Sequence, residues 1–220
     1  MVLVHPRVRS VVRPVVMAVN TPVARTRATR AIDAAARPFK LEVGGLAPRP
    51  GWVVTNVNAV TRHYLDATQT WPIEDGALSH VYSDNVVEHL PLEAGRVMFA
   101  EAYRCLRPGG VIRMVTPDLG AHVERYLAGK APRGDAEAAI YEEVGLTVEH
   151  PLDWVRIPIA SFGHHEGYVY DFAALSAELE RAGFSSVVRA ELGSSVHPEL
   201  DGLDNRVMEG GAQMAVEAVR

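Results

Sequence analysis

Short apolar runs rich in β-branched residues alternate along this chain with longer stretches of helical period. Phe39–Val43, Val53–Val57, His63–Leu65, Leu78–Ser83, Val111–Val115, Phe184–Leu192 and Gln213–Val219 read as strands. Between them, Leu92 to Leu106 places Val97, Met98, Tyr103, Cys105 and Leu106 as a half-buried helix would, and Arg107 with Pro108-Gly109-Gly110 ends it in a turn. Asn85-x-x-Glu88 has capping-box spacing ahead of that helix. Tyr170 to Ala182 is a second clear helix, with Asp171 as its N-cap and Gly183 just past its end. His122–Ala128 and Glu137–Val144 read as helices around the loop Gly129–Gly134. Strands that alternate with helices predict a mostly parallel sheet with helices on both faces.

Residues 1–39 depart from this rhythm. Pro6, Pro14 and Pro22 divide them into an arm with one or two short helices, the last capped by Thr21 with Pro22 at its first position and stopped by Pro38. The arm is also where the charge sits: seven arginines and Lys40 against Asp33 give residues 1–40 a charge of +7, and the remainder carries −12 of the net −5. A basic arm on an acidic body admits nucleic-acid contact, but no aromatics interleave with the arginines as single-strand binding requires. Packing on its own body, or onto a neighbouring copy to form a homodimer, is the preferred reading.

At 220 residues the chain suits one domain with an embellishment, here the segment 119–165. Its one cysteine, Cys105, excludes a disulfide framework and a multi-cysteine metal site; on an apolar helix face it reads as an inert buried thiol. Arg13 and Pro14 interrupt the apolar stretch Val11–Val19, so no signal-peptide core forms, and no run approaches the ~18 apolar residues of a membrane span. The expectation is a soluble, cytoplasmic protein.

Candidate chemistry gathers where strands end. Asp66, Asp84 and Asp118 each follow a strand, and open α/β sheets bind ligands outside the carboxyl ends of their strands. Asp118 reads equally as a helix cap, which is preferred, and Trp154 as core filling.

The motif order resembles the class I S-adenosylmethionine-dependent methyltransferases, in particular their type 11 branch. The resemblance runs from Lys40 onward and rests on PGW at 50–52, YLDAT at 64–68, the segment ending EHL at 88–90, LRPGG at 106–110 and TPDL at 116–119. It implies a Rossmann-like α/β fold: a mostly parallel, seven-stranded sheet with one antiparallel strand. Residues 40–220 form the methyltransferase-like domain and 119–165 its acceptor lid. It also implies S-adenosyl-L-methionine as cofactor, held by Glu42, Gly44 and Gly45 of the glycine loop and by Asn56 at the ribose position. Asp66 and Ala67 would meet the adenine, and Ser83 and Asp84 would close the floor. Two residues depart from the pattern: Leu46 replaces the last glycine, and Asn56 replaces the ribose carboxylate and so lacks its charge.

Methyl transfer needs orientation above all, and a base where the acceptor is poorly ionised. His89, after the fourth strand, and His164 in the run Phe162–Tyr168 are the candidate catalytic residues. His165 and Tyr168 are further possibilities in the same run, and Glu88 is assigned to capping. His122 and His150 show no zinc-type spacing, so no metal is expected. The sequence thus predicts a methyltransferase acting on a small-molecule or glycan acceptor, at oxygen or nitrogen. The alternative is the same fold with a lapsed or repurposed cofactor site. A nucleic-acid acceptor ranks last, since SDNV stands where a nucleic-acid methyltransferase would carry its N/D-P-P-Y motif.

Overall fold

The computed structural model describes residues 6–204 and 212–220, with side chains from Pro14 onward. Six strands form one sheet in the order β2-β1-β3-β4-β6-β5. They are β1 (Phe39–Val43), β2 (Trp52–Thr55), β3 (Leu78–Asp84), β4 (Leu106–Pro117), β5 (Ser185–Ala190) and β6 (Gln213–Val219). β1 to β4 pair in parallel, and β6 runs antiparallel to both β4 and β5. The sheet is α/β and mostly parallel, with one antiparallel strand.

The expected seventh strand, His63–Leu65, is reduced to one bridge between Asn56 and Tyr64. Its outer neighbour is instead helix α1 (Pro6–Ala34), whose Ala24 carbonyl accepts the Tyr64 N–H at 3.1 Å. The arm expected as short helices is this single helix, running through Pro14 and Pro22. Each proline removes a helical hydrogen bond, so propensity argues for breaks. In the second half packing overrides it: Ala24, Ala28 and Ile32 recur on one face and are buried on the body, and Arg25 stacks over the Tyr64 ring. The segment Pro108-Gly109-Gly110 likewise does not end an element. It lies inside β4, pinned by reciprocal backbone bonds between Arg220 and Gly109 and Gly110.

The remaining helices are α2 (Leu92–Cys105), α3 (Leu119–Leu127), α4 (Ala136–Glu143), α5 (Asp153–Ala160) and α6 (Phe172–Ala182). Asp171 caps α6 at Ala174 N, and Gly183 ends it in the left-handed region. Asp118 caps α3 and also pairs with Arg189 at 2.6 Å. The helix α5 was not anticipated; its Trp154 is fully buried and packs with Ala138, Tyr141, Val148 and Ile157 in a satellite core.

The two faces of the sheet differ. One carries Leu41, Val43, Val81 and Met114 and packs against α2 and α6 through Met98, Phe99, Ala102, Leu175 and Leu179. The other presents, in register, Glu42, Tyr82, Arg113 and Glu217. Among the described residues, Trp52, Leu192 and Leu203 from strand and loops cover that face. No helix follows β1: residues 44–51 reach β2 as a loop, and 56–77 reach β3 with no helix. Arg113, fully buried, is neutralised by Asp204 at 2.6 Å and Glu217 at 2.5 Å, which ties β4 and β6 to the loop after β5. That loop was expected as a hairpin-like connection, His197–Arg206; its last two residues lie outside the described ones.

Candidate active site

Two adjoining cavities open at the carboxyl edge of the parallel strands. The first, about 340 Å³, is bounded by Val43, Gly44 and Leu46 after β1, Asn56 and Val57 after β2, Leu65–Thr68, and Asp84–Val86 with His89 and Leu90 after β3. The second, about 450 Å³, is walled largely by the segment between β4 and α6. It is lined by Glu88, Pro117, Ile140, Tyr141, Glu143, Val144, Pro158, Phe162, His164 and Gln213. Asn85 and His89 belong to both walls. Asn85 adopts φ +50°, a conformation rare outside glycine, which carries the chain from β3 across the boundary.

Local geometry explains the glycine loop. Gly44 has φ +85°, and a side chain there would collide with Val86. A Cβ at Gly45 would meet Val54 and lie 2.7 Å from Glu42 Oε1. The loop is latched from β2: Asn56 Nδ2 donates to the Gly44 carbonyl at 2.7 Å and the Gly45 carbonyl at 3.1 Å, and Asn56 Oδ1 accepts from Asn58 N. Asn56 therefore lines the cavity with its amide committed to its own backbone. Leu46 is 73% exposed, so its side chain stands at the rim and leaves the interior open.

Of the residues expected around a cofactor, Gly44, Asn56, Asp66, Ala67 and Asp84 line the first cavity. Asp66 Oδ1 accepts from Thr68 N and Thr68 Oγ1, which folds YLDAT into a tight turn. Glu42, Gly45 and Ser83 are not among the lining residues. Strand alternation turns Glu42 to the opposite face, where Arg49 meets it at 2.7 Å; Gly45 packs behind the loop; and Ser83 is 1% exposed within the sheet.

The structure brings the two candidate histidines together, with ring centroids 4.7 Å apart in an edge-to-face contact. Glycines permit this approach. Gly163 turns the chain at φ +90°, and any side chain on Gly167 would strike the Glu88 carbonyl. Tyr168 N donates to the Leu90 carbonyl and zips the two segments together. Burial lowers the pKa of both histidines, with His164 adding to the effect on His89. His164 Nδ1 lies 2.7 Å from the Pro158 carbonyl, which only accepts, so Nδ1 carries the proton and Nε2 presents a lone pair. His165 instead faces solvent beside Glu166. His122 is buried on α3 with its pKa pushed down to about 4, outside this cluster.

Glu88 does not form the predicted capping box. It sits fully buried in a 3-10 turn, Val87–His89, and its Oε2 accepts from Thr116 Oγ1 at 3.0 Å. Sequence reasoning also missed Asn85 and Gln213, whose amide oxygens are buried at the second cavity with no hydrogen-bond partner among the described residues.

A mostly parallel sheet of this order, with cavities across the carboxyl edge of its strands, is a Rossmann-like α/β fold. Residues 34–114, which span β1 to most of β4 and every wall of the first cavity, match the family model of the methyltransferase domain. Within that segment, which covers over a third of the chain, the protein is similar to methyltransferase domains. No curated protein matches it. Among solved structures it is similar to an S-adenosylmethionine-dependent methyltransferase from Archaeoglobus fulgidus (16% identity, 90% of this chain and 94% of that one, TM-score 0.47). A Thermotoga maritima methyltransferase described as a possible histamine N-methyltransferase gives 16%, 93%, 91% and 0.45. Phosphoethanolamine N-methyltransferase 2 from Haemonchus contortus gives 13%, 87%, 52% and 0.45.

Proposed function

We propose that this protein transfers a methyl group from S-adenosylmethionine to an oxygen or nitrogen of a small-molecule or glycan acceptor, with cofactor in the first cavity and acceptor in the second. The observation that carries this reading is the shared wall: Asn85 and His89 border both cavities, so ligands in the two would meet there. The residues present suit the cofactor. The cavity falls in the ~300–1,000 Å³ range of small-molecule sites, its loop approaches as bare backbone at Gly44, and Asp66 Oδ2 makes no hydrogen bond among the described residues. Gly44, Asp66, Ala67 and Asp84 would hold it, and Asn56 would keep the loop in place. When bound, it supplies a methyl group on a sulfonium.

The protein's remaining work is orientation and proton handling. Tyr141, Val144, Pro158 and Phe162 give the acceptor cavity an apolar wall. The buried oxygens of Asn85 and Gln213 accept hydrogen bonds from its O–H or N–H groups, and His89 with His164 stands where the reacting group loses its proton.

Calorimetric titration with S-adenosylhomocysteine tests the reading. Saturable heat that is lost on replacing Gly44 by a bulky residue supports it. No heat at millimolar ligand would leave a methyltransferase fold whose site has lapsed, the outcome favoured by the missing ribose carboxylate at Asn56.

A further inference from the structure

We propose that Glu88, His89 and His164 form a binding site for a divalent transition-metal ion at the boundary of the two cavities. One ligand atom from each lies within 4.8 Å of the others. Two imidazoles and one carboxylate are a donor set that suits first-row ions such as Mn²⁺, Fe²⁺, Co²⁺ or Zn²⁺, whereas Mg²⁺ and Ca²⁺ favour all-oxygen shells. Metal–nitrogen bonds of roughly 2.0–2.1 Å set neighbouring donors about 3–3.5 Å apart. His89 is the exposed member of the three, so its ring is the one with room to adjust toward that spacing.

Three features beyond proximity support a built site. The His164 Nδ1–H donates to the Pro158 carbonyl, which fixes the tautomer that leaves Nε2 free to bind. Metal-binding histidines characteristically make such a second hydrogen bond. Glu88 is fully buried and its Oε2 is oriented by the Thr116 hydroxyl, as a ligating carboxylate is. Finally, Gly167 lets the backbone of the His164 segment press onto the Glu88 carbonyl, so the three ligands are set by main-chain packing. Ligand spacing along the chain does not signal this cluster, because His164 reaches it only through the tertiary fold.

The role of the ion rests on the function proposed above. Three protein ligands leave coordination positions open toward the second cavity, as in metal sites that take a substrate. An acceptor hydroxyl on the ion would lose its proton to solvent more readily, through the charge of the metal, in place of direct transfer to the two histidines, whose lone pairs the ion would occupy. The site would then favour oxygen acceptors, in particular those with a second oxygen placed to chelate.

The binding claim is tested with Co²⁺ alone on the full chain, following its visible absorption, with Mn²⁺ and Zn²⁺ as competitors. The expected result is a single equivalent bound, affinity weakened at least tenfold in His89→Ala and in His164→Ala, and no change in His165→Ala. Thermal unfolding checks that each variant is folded, and His89→Ala, altered at the exposed ligand, is the variant least able to disturb the core. Absence of binding, or binding unchanged in both ligand variants, overturns the proposal. S-adenosylhomocysteine titration of metal-free protein is read separately: cofactor heat without metal binding removes only the ion, and metal binding without cofactor heat removes only the methyl-transfer reading.

Discussion

Asn56 stands where the family pattern would place a ribose-binding carboxylate, and Asn56→Asp looks from sequence like a repair. The structure predicts the reverse. The Asn56 amide nitrogen donates to the carbonyls of Gly44 and Gly45 at 2.7 and 3.1 Å, which holds the glycine loop against β2. A carboxylate has no proton to donate, so both bonds are lost and an oxygen is set against two carbonyl oxygens. At about 0.5–1.5 kcal/mol net per bond, with repulsion added, the substitution costs about 2–3 kcal/mol. For a chain of this size that lowers Tm by roughly 5–10 °C. The loop forms one wall of the cofactor cavity, so its displacement weakens S-adenosylhomocysteine by about tenfold, which corresponds to 1.4 kcal/mol. Scanning calorimetry and titration calorimetry on the pair of proteins read both quantities. Tighter binding by Asn56→Asp at unchanged Tm would refute the latch and reinstate the ribose role.

Other consequences concern buried charge. His122 is neutral in the fold, its pKa pushed down to about 4 chiefly by burial and then by Arg125, with Asp118 opposing. The unfolded chain takes up that proton from pH ~6.5 downward while the fold does not, so His122 costs nothing above ~6.5 and up to about 3 kcal/mol by pH 4. Urea midpoints of His122→Leu should accordingly fall less steeply than those of the parent between pH 7 and 4; parallel slopes would contradict this. Removing Arg113 alone strands Asp204 and Glu217 in the buried face, and Arg113→Ala should lose about 3–5 kcal/mol in denaturant titration. Burial pushes the Cys105 thiol up to about 12, so iodoacetamide at pH 8 should leave it unmodified in the native chain and react after unfolding.

How much was legible depended on whether a property was local. Apolar period located β1, β3, β5, β6, α2 and α6, because burial of one face leaves its spacing in the sequence. The Asp171 and Gly183 caps were readable for the same reason, since each acts within a few residues of itself. Glu88 was misassigned because a capping box and a buried carboxylate look alike in sequence; only β4, which brings Thr116 beside it, tells them apart. Asn85 read only as the start of a capping box and Gln213 carried no signal, since an amide becomes distinctive only when the fold buries its oxygen without a partner among the described residues.

The sequence by itself determined the α/β class, the strand order's raw material and the segments that would supply a cofactor pocket, all consequences of short-range periodicity and turn chemistry. Tertiary structure decided the rest. It reduced the strand expected at His63–Leu65 to a single bridge, turned Glu42 away from the pocket, committed Asn56 to the loop, and set His89 against His164. Each of these depends on which distant residue fills the space beside a side chain, and the spacing of residues along a chain does not encode that.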